Sequence, residues 1–223
     1  MGFIGSSCTG FFSNSWAPWA ARDPNKLIPK VTPGNVDQLI AMAENDPDLS
    51  LALLKAIEKA MRNASPEDRA KLQNAALKTG TNSSGLGQAI MGAAGNLSSG
   101  GFDSDEEIIS TARDAIMGME NLVDTAHTLV SILPSNTSGQ EWDDFVAASE
   151  PDDLAIAAIV IIMGEAKSQN PNLTEEEFQN YVDDLQNDPN PPENLALAMS
   201  LAAAASTGLN STLNDMLSGL NMI

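Results

Sequence analysis

Eleven consecutive residues, "LAIAAIVIIMG" from Leu154 to Gly164, carry no charge and no polar side chain. A helix needs roughly 20 apolar residues to cross a bilayer core, so this run is too short to span one. A helical stretch apolar on every side belongs inside protein, which predicts a buried core helix. The remaining sequence has to supply its coat.

Composition says what that coat is made of. Hydrophobic residues are 43% of a 223-residue chain, enough for a core and too many for wholesale disorder. Ala, Leu, Ile and Met dominate, whereas aromatics are 4%. Strands prefer β-branched and aromatic residues, so the balance favours an all-α fold. The length allows one large domain or two small ones.

Helix starts recur along the chain. Thr32-Pro33 reads as an N-cap with proline at the first helical position, and "SPED" (Ser65 to Asp68) repeats the device. "SDEE" (Ser104 to Glu107) and "TEEE" (Thr174 to Glu177) read as capping boxes, each with carboxylates where the helix dipole favours them. From about Ser104 to Leu133 the apolar positions keep a three-four spacing for about seven turns, which predicts one long amphipathic helix ended by Pro134. Self-association through its stripe would make a homo-oligomer.

The chain also echoes itself. "VDQLIAMAENDPDLSLALLKAI" (Val36 to Ile57) lines up with "WDDFVAASEPDDLAIAAIVII" (Trp142 to Ile162) after one gap. "SPEDRAKLQNAA" then falls opposite "TEEEFQNYVDDL", cap on cap, and "LGQAIMGAAG" opposite "LALAMSLAAA". An internal duplication follows: a segment 1–31, a helical unit 32–139 and a second helical unit 140–223, the two units forming one continuous domain. The expected architecture is an array of antiparallel helical hairpins, solenoid-like or bundled. It resembles tetratricopeptide-type arrays in architecture, without their 34-residue signature.

Charge excludes some partners. The formal net charge is −19. Eighteen acidic residues and one basic residue, Lys167, lie between Asp114 and Ile223, a net −17 for that half. Such a field repels phosphate backbones, so nucleic acid is not an expected partner. One cysteine, Cys8, excludes an internal disulfide and a cysteine-based zinc cage.

No constellation for catalysis, metal or cofactor emerges. The lone histidine, His127, has no second base, nucleophile or ligand that the sequence places beside it, and reads as a structural residue on a helix flank. "DDLQNDPNPPE" (Asp183 to Glu193) has prolines where a calcium loop needs its turn glycine, and reads as a solvated linker. Gly85-Leu86-Gly87 lacks the preceding strand and following Lys-Ser/Thr of a phosphate loop. Gly92 and Ala93 read instead as a place where two helices approach closely. The chain is therefore not expected to be an enzyme.

The distinctive stretch is the first, "MGFIGSSCTGFFSNSWAPWA". "FIGSSC" resembles the lipobox of bacterial lipoproteins in the relaxed form found in spirochaetes. Ile4, Gly5, Ser6 and Ser7 stand in the positions before the cysteine. The resemblance implies that Cys8 receives a diacylglycerol and becomes the first residue after signal-peptidase cleavage. "MGFIGS" also fits the N-myristoylation pattern, with Gly2 as acceptor and Cys8 open to palmitoylation. A third reading leaves Cys8 a free cysteine. Phe11, Phe12, Trp16 and Trp19 suit a membrane–water interface, or would strap back over the helical body.

These readings point to a lipid-anchored helical scaffold or adaptor subunit of a bacterial envelope, on its periplasmic side or at the cell surface. Its partner would be another protein, with a partner helix or peptide seated in an exposed groove lined by Met and Ala. The alternatives are a transport-associated lipoprotein that holds a small hydrophobic ligand or docks on a solute-binding protein, and a myristoylated or palmitoylated peripheral membrane protein.

Overall fold

Helix signals in the sequence become eight α-helices in the computed structural model, which describes residues 23–85, 118–209, 213–214 and 217–218. A 3-10 turn at Pro24–Lys26 leads in. Then follow α1 (Val36–Ala43), α2 (Pro47–Met61), α3 (Pro66–Ser84), α4 (Leu122–Ile132), α5 (Gln140–Ala147), α6 (Pro151–Gln169), α7 (Glu175–Asn187) and α8 (Glu193–Ala205). No strand occurs among the described residues.

The caps explain most of the starts. Ser65 Oγ accepts the Asp68 N–H at 3.2 Å, with Pro66 in the first turn of α3. At α7 the reciprocal box is complete. Glu177 accepts the Thr174 N–H at 2.8 Å, and Thr174 Oγ1 accepts the Glu177 N–H at 3.3 Å, so two otherwise orphaned donors are satisfied. Asp46 caps α2 in the same manner, accepting the Leu49 N–H at 3.0 Å ahead of Pro47. The "SDEE" box lies outside the described residues.

Thr32-Pro33 does not start a helix. Thr32 and Asn35 close a turn on each other, and α1 begins only at Val36 with Asn35 as its cap residue. The Asn35 side chain, which accepts the Thr32 N–H at 2.8 Å, holds residues 32–35 in that turn.

α6 is the axis of the molecule. Every residue from Leu154 to Gly164 is buried, as a run with no polar face requires. α4 and α8 run along it and α3 packs on it as well. Pairings across the interfaces fix the directions. Gly164 meets Ala126 and Leu122, whereas Lys167 donates to the Met119 carbonyl at 2.7 Å, so α4 is antiparallel to α6. Asn194, at the start of α8, donates to Glu165, near the end of α6, at 2.8 Å, so α8 is antiparallel too.

α4 is clasped between α3 and α6, and a glycine receives it on each side. A Cβ at Gly80 of α3 would come within 2.9 Å of both Leu129 methyls. A Cβ at Gly164 would collide with the Ala126 methyl and crowd the Leu122 carbonyl at 3.2 Å. The α3–α4 contact is otherwise partly polar. Ser83 Oγ and Thr125 Oγ1 are 3.1 Å apart, and Gln73 donates to the Ile132 carbonyl at 3.3 Å. Buried polar groups thus find partners at both ends of the crossing. Close approach is achieved at Gly80 and Gly164; Gly92 and Ala93 lie outside the described residues.

Two further sequence expectations need correction. The helix expected over 104–133 is interrupted, because residues 118–121 are non-helical and α4 starts at Leu122. Gly118 lowers helix propensity there. Tertiary partners also replace the lost ladder: Met119 O accepts from Lys167, and Asn121 donates to Asp48 at 2.9 Å. The apolar stripe from Leu122 to Leu133 is buried or half-buried within the chain, against α3 and α6; its earlier part, 104–117, lies outside the described residues. Finally, the acidic stretch expected as a linker is helical through Asn187, so only residues 188–192 connect α7 to α8.

The order of elements does repeat. An eight-residue helix, a proline-led helix and a hydroxyl-capped helix occur as α1–α2–α3 and again as α5–α6–α7. The packing does not repeat. α2 pairs mainly with α3, whereas α6 pairs mainly with α4 and α8. One hydrophobic core runs through both stretches.

Candidate functional site

Prolines at positions 29 and 33 keep the segment between the 3-10 turn and α1 out of a helix. It is pinned at both ends instead. Asp23 accepts the backbone and side-chain N–H groups of Asn25 at 3.1 and 2.9 Å, which holds its carboxyl below the usual range. At the other end Asn35 donates to the Lys30 carbonyl at 3.0 Å. Val31 is buried between them. The segment lies alongside α2 without closing on it, and the gap is a groove of about 720 Å³, within the usual range for ligand sites.

The groove is lined by alanines, three lysines and a few polar side chains, among them one carboxylate, Asp68. Ala52, Ala56 and Ala60, one helical turn apart on α2, form a smooth floor with Leu72 of α3 at its back. Ile28 and Val31 make the facing wall. Lys30, Lys55 and Lys59 stand on the rim and are exposed. Lys55 reaches Asp124 at 2.7 Å, an exposed pair of small energetic weight. Lys30 and Lys59 make no ion pair among the described residues. A chain of net charge −19 thus gathers three of its eleven basic residues around one apolar trough. The expected groove contained Met and Ala; this one has alanines and no methionine in its lining.

Two polar clusters lie elsewhere. Glu165 accepts from Asn194 at 2.8 Å and from Gln169 at 3.1 Å, with His127 Nε2 4.0 Å away. Tyr181 stands near it. Burial first, and the Glu165 charge second, push its hydroxyl up to about 12, and the buried oxygen has no hydrogen-bond partner among the described residues. His127 is thus placed beside a carboxylate that lies thirty-eight positions away in sequence. The second cluster is a shallow cleft at the start of α6, where Lys78 faces Asp152, Asp153 and Glu150. Burial raises the Asp153 carboxyl, partly offset by Lys78.

No group of three metal-ligating side chains occurs among the described residues, and none of their helices is long and apolar enough to cross a membrane. The residues singled out at the amino-terminal end, Gly2, Cys8, Phe11, Phe12, Trp16 and Trp19, lie outside the described residues. The groove was missed in the sequence because its floor and wall are joined only by folding. The signal was faint: alanines at 52, 56 and 60 with lysines at 55 and 59. Comparison with protein-family models, curated proteins and solved structures finds no match for the chain.

Proposed function

We propose that this chain is a lipid-anchored helical scaffold or adaptor subunit of a bacterial envelope, attached through Cys8 and holding another protein in the groove between residues 28–33 and α2. The observation that carries the reading is the placement of that groove. Its front wall, starting at Ile28, follows in the chain after the segment that bears "FIGSSC" and the aromatic residues Phe11, Phe12, Trp16 and Trp19, twenty positions beyond Cys8. Two or three acyl chains hold a protein durably on a membrane, where one does not. The lining supplies apolar surface and ammonium groups, which suits binding rather than bond-making.

Intact mass of the protein from its native host, with partitioning into detergent, tests the anchor. A diacylglycerol mass on Cys8 supports the reading; an unmodified, water-partitioning chain defeats it. A mass on Gly2 instead moves the protein to the myristoylated class. The apolar floor also supports a second reading, a transport-associated lipoprotein with a small hydrophobic ligand in the same groove. Native mass spectrometry of freshly purified protein would then find a bound small molecule.

A further inference from the structure

We infer that the groove beside α2 recognises an acidic amphipathic helix; the inference rests on the reading of the chain as a protein-binding adaptor and names the partner's chemistry. Three observations carry it, beginning with length. The floor on α2 runs from Ala52 to Ala60, a rise of roughly 12 Å at 1.5 Å per residue, the span of about two turns of a partner helix.

Shape is the second. Ala52, Ala56 and Ala60 form one ridge of methyl groups, low enough for a facing helix to come close and seat larger residues between Ile28 and α2. Such a partner would present apolar side chains at i, i+3 or i+4, and i+7.

Charge is the third. Lys55 and Lys59 stand one turn apart on α2, and Lys30 stands on the opposite wall. Cations spread along both edges match carboxylates spaced along both flanks of a helix. Lys55 is already paired with Asp124, which leaves Lys59 on one edge and Lys30 on the other; a fatty acid brings a single carboxylate and would answer only one of them. The overall charge of −19 repels an acidic partner at other faces, so what holds one here is local pairing with the rim lysines, acting against the overall field.

The test uses the full chain and two pools of fluorescein-labelled 15-residue helical peptides. Both vary Leu, Ile and Met at the apolar positions; one carries Glu on its flanks and the other Lys. Fluorescence polarisation should show binding by the Glu pool only, weakening as salt is raised. Reversing two rim charges, Lys30→Glu with Lys59→Glu, should weaken it by roughly tenfold. These positions are exposed, so the variant should keep its helical circular dichroism. Ala56→Gln, which fills the floor, should weaken binding of the Glu pool at unchanged charge. Equal binding of the two pools, no binding of either, or an unmoved affinity in the charge-reversed variant overturns the inference. So does oleate that binds the groove while the Glu pool does not. The broader reading is read separately, from the Cys8 mass. A lipidated protein whose captured partner still binds the charge-reversed variant would keep the adaptor and lose the acidic-helix groove.

Discussion

Gly164 of α6 lies so close to Ala126 of α4 that no side chain fits between them: a Cβ at 164 would collide with the Ala126 methyl and press on the Leu122 carbonyl at 3.2 Å. Replacing Gly164 by Ala therefore sets two effects against each other. Helix propensity gains about 1 kcal/mol, and overpacking costs ~1–3 kcal/mol. A backbone carbonyl and a methyl cannot swing aside, so overpacking wins. Gly164→Ala should lower unfolding free energy by up to about 2 kcal/mol on balance, measured by urea denaturation. Adding Ala126→Gly should recover part of the loss, a coupling that a double-mutant cycle reads directly.

Gly80 offers the contrasting case. Its neighbours are the Leu129 methyls, 2.9 Å from an added Cβ, and they can move by side-chain rotation. Gly80→Ala should change stability by less than about 1 kcal/mol, because propensity gain and packing loss nearly cancel. A loss as large as that of Gly164→Ala would show that Leu129 is held as rigidly as backbone.

Tyr181 is the only tyrosine in the chain, so its ultraviolet titration is free of overlap. It should titrate near about 12, well above an ordinary phenol. The neutral form is favoured in the fold. Stability should hold up to about pH 10, the unfolded value, and fall as pH rises from there through about 12. Glu165→Gln should lower the midpoint, since that carboxylate adds to the effect of burial. Tyr181→Phe removes a buried hydroxyl that lacks a partner among the described residues and should raise stability by about 1 kcal/mol.

Asp153 is held above its ordinary value by burial, with Lys78 working against the shift. Here the charged form is the disfavoured one. Its unfavourable contribution is complete above the folded value and disappears below the unfolded one, near 3.8. Asp153→Asn should then raise the melting temperature at pH 7 and leave it nearly unchanged at pH 3. An equal gain at both pH values would assign the effect to shape instead of charge.

The box at the start of α7 predicts a cap-sized loss. Thr174→Ala should cost about 1 kcal/mol at pH 7, read by thermal or urea denaturation. Glu177 is held below its ordinary 4.5 by the backbone and side-chain hydrogen bonds of Thr174. Its contribution is present above 4.5 and fades as pH falls through the lower folded value. In Thr174→Ala that acid-side fading should shift toward 4.5.

Local chemistry was legible wherever a few neighbouring residues decide the outcome. Ser65 and Thr174 start helices where their hydroxyls promised to, and Leu154 to Gly164 is buried throughout, as a run with no polar face must be. The break at 118–121 was not legible. Apolar spacing continues across it, and what competes with the helix there is supplied by Lys167 and Asp48, far away in sequence. Thr32-Pro33 shows the same limit at short range, since Asn35 captured the turn that a helix would have used.

Sequence alone therefore determined that this chain would be helical, where several of its helices begin and which one lies at the centre, because caps and apolar runs act within a turn or two of backbone. Only the tertiary structure decided which small residues become contact points and which become a floor. Gly80 and Gly164 clasp α4, whereas Ala56 and Ala60 stay partly open beside Ile28. Small side chains permit close approach by anything, and only the folded arrangement decides whether a helix of the same chain takes the space or leaves it free.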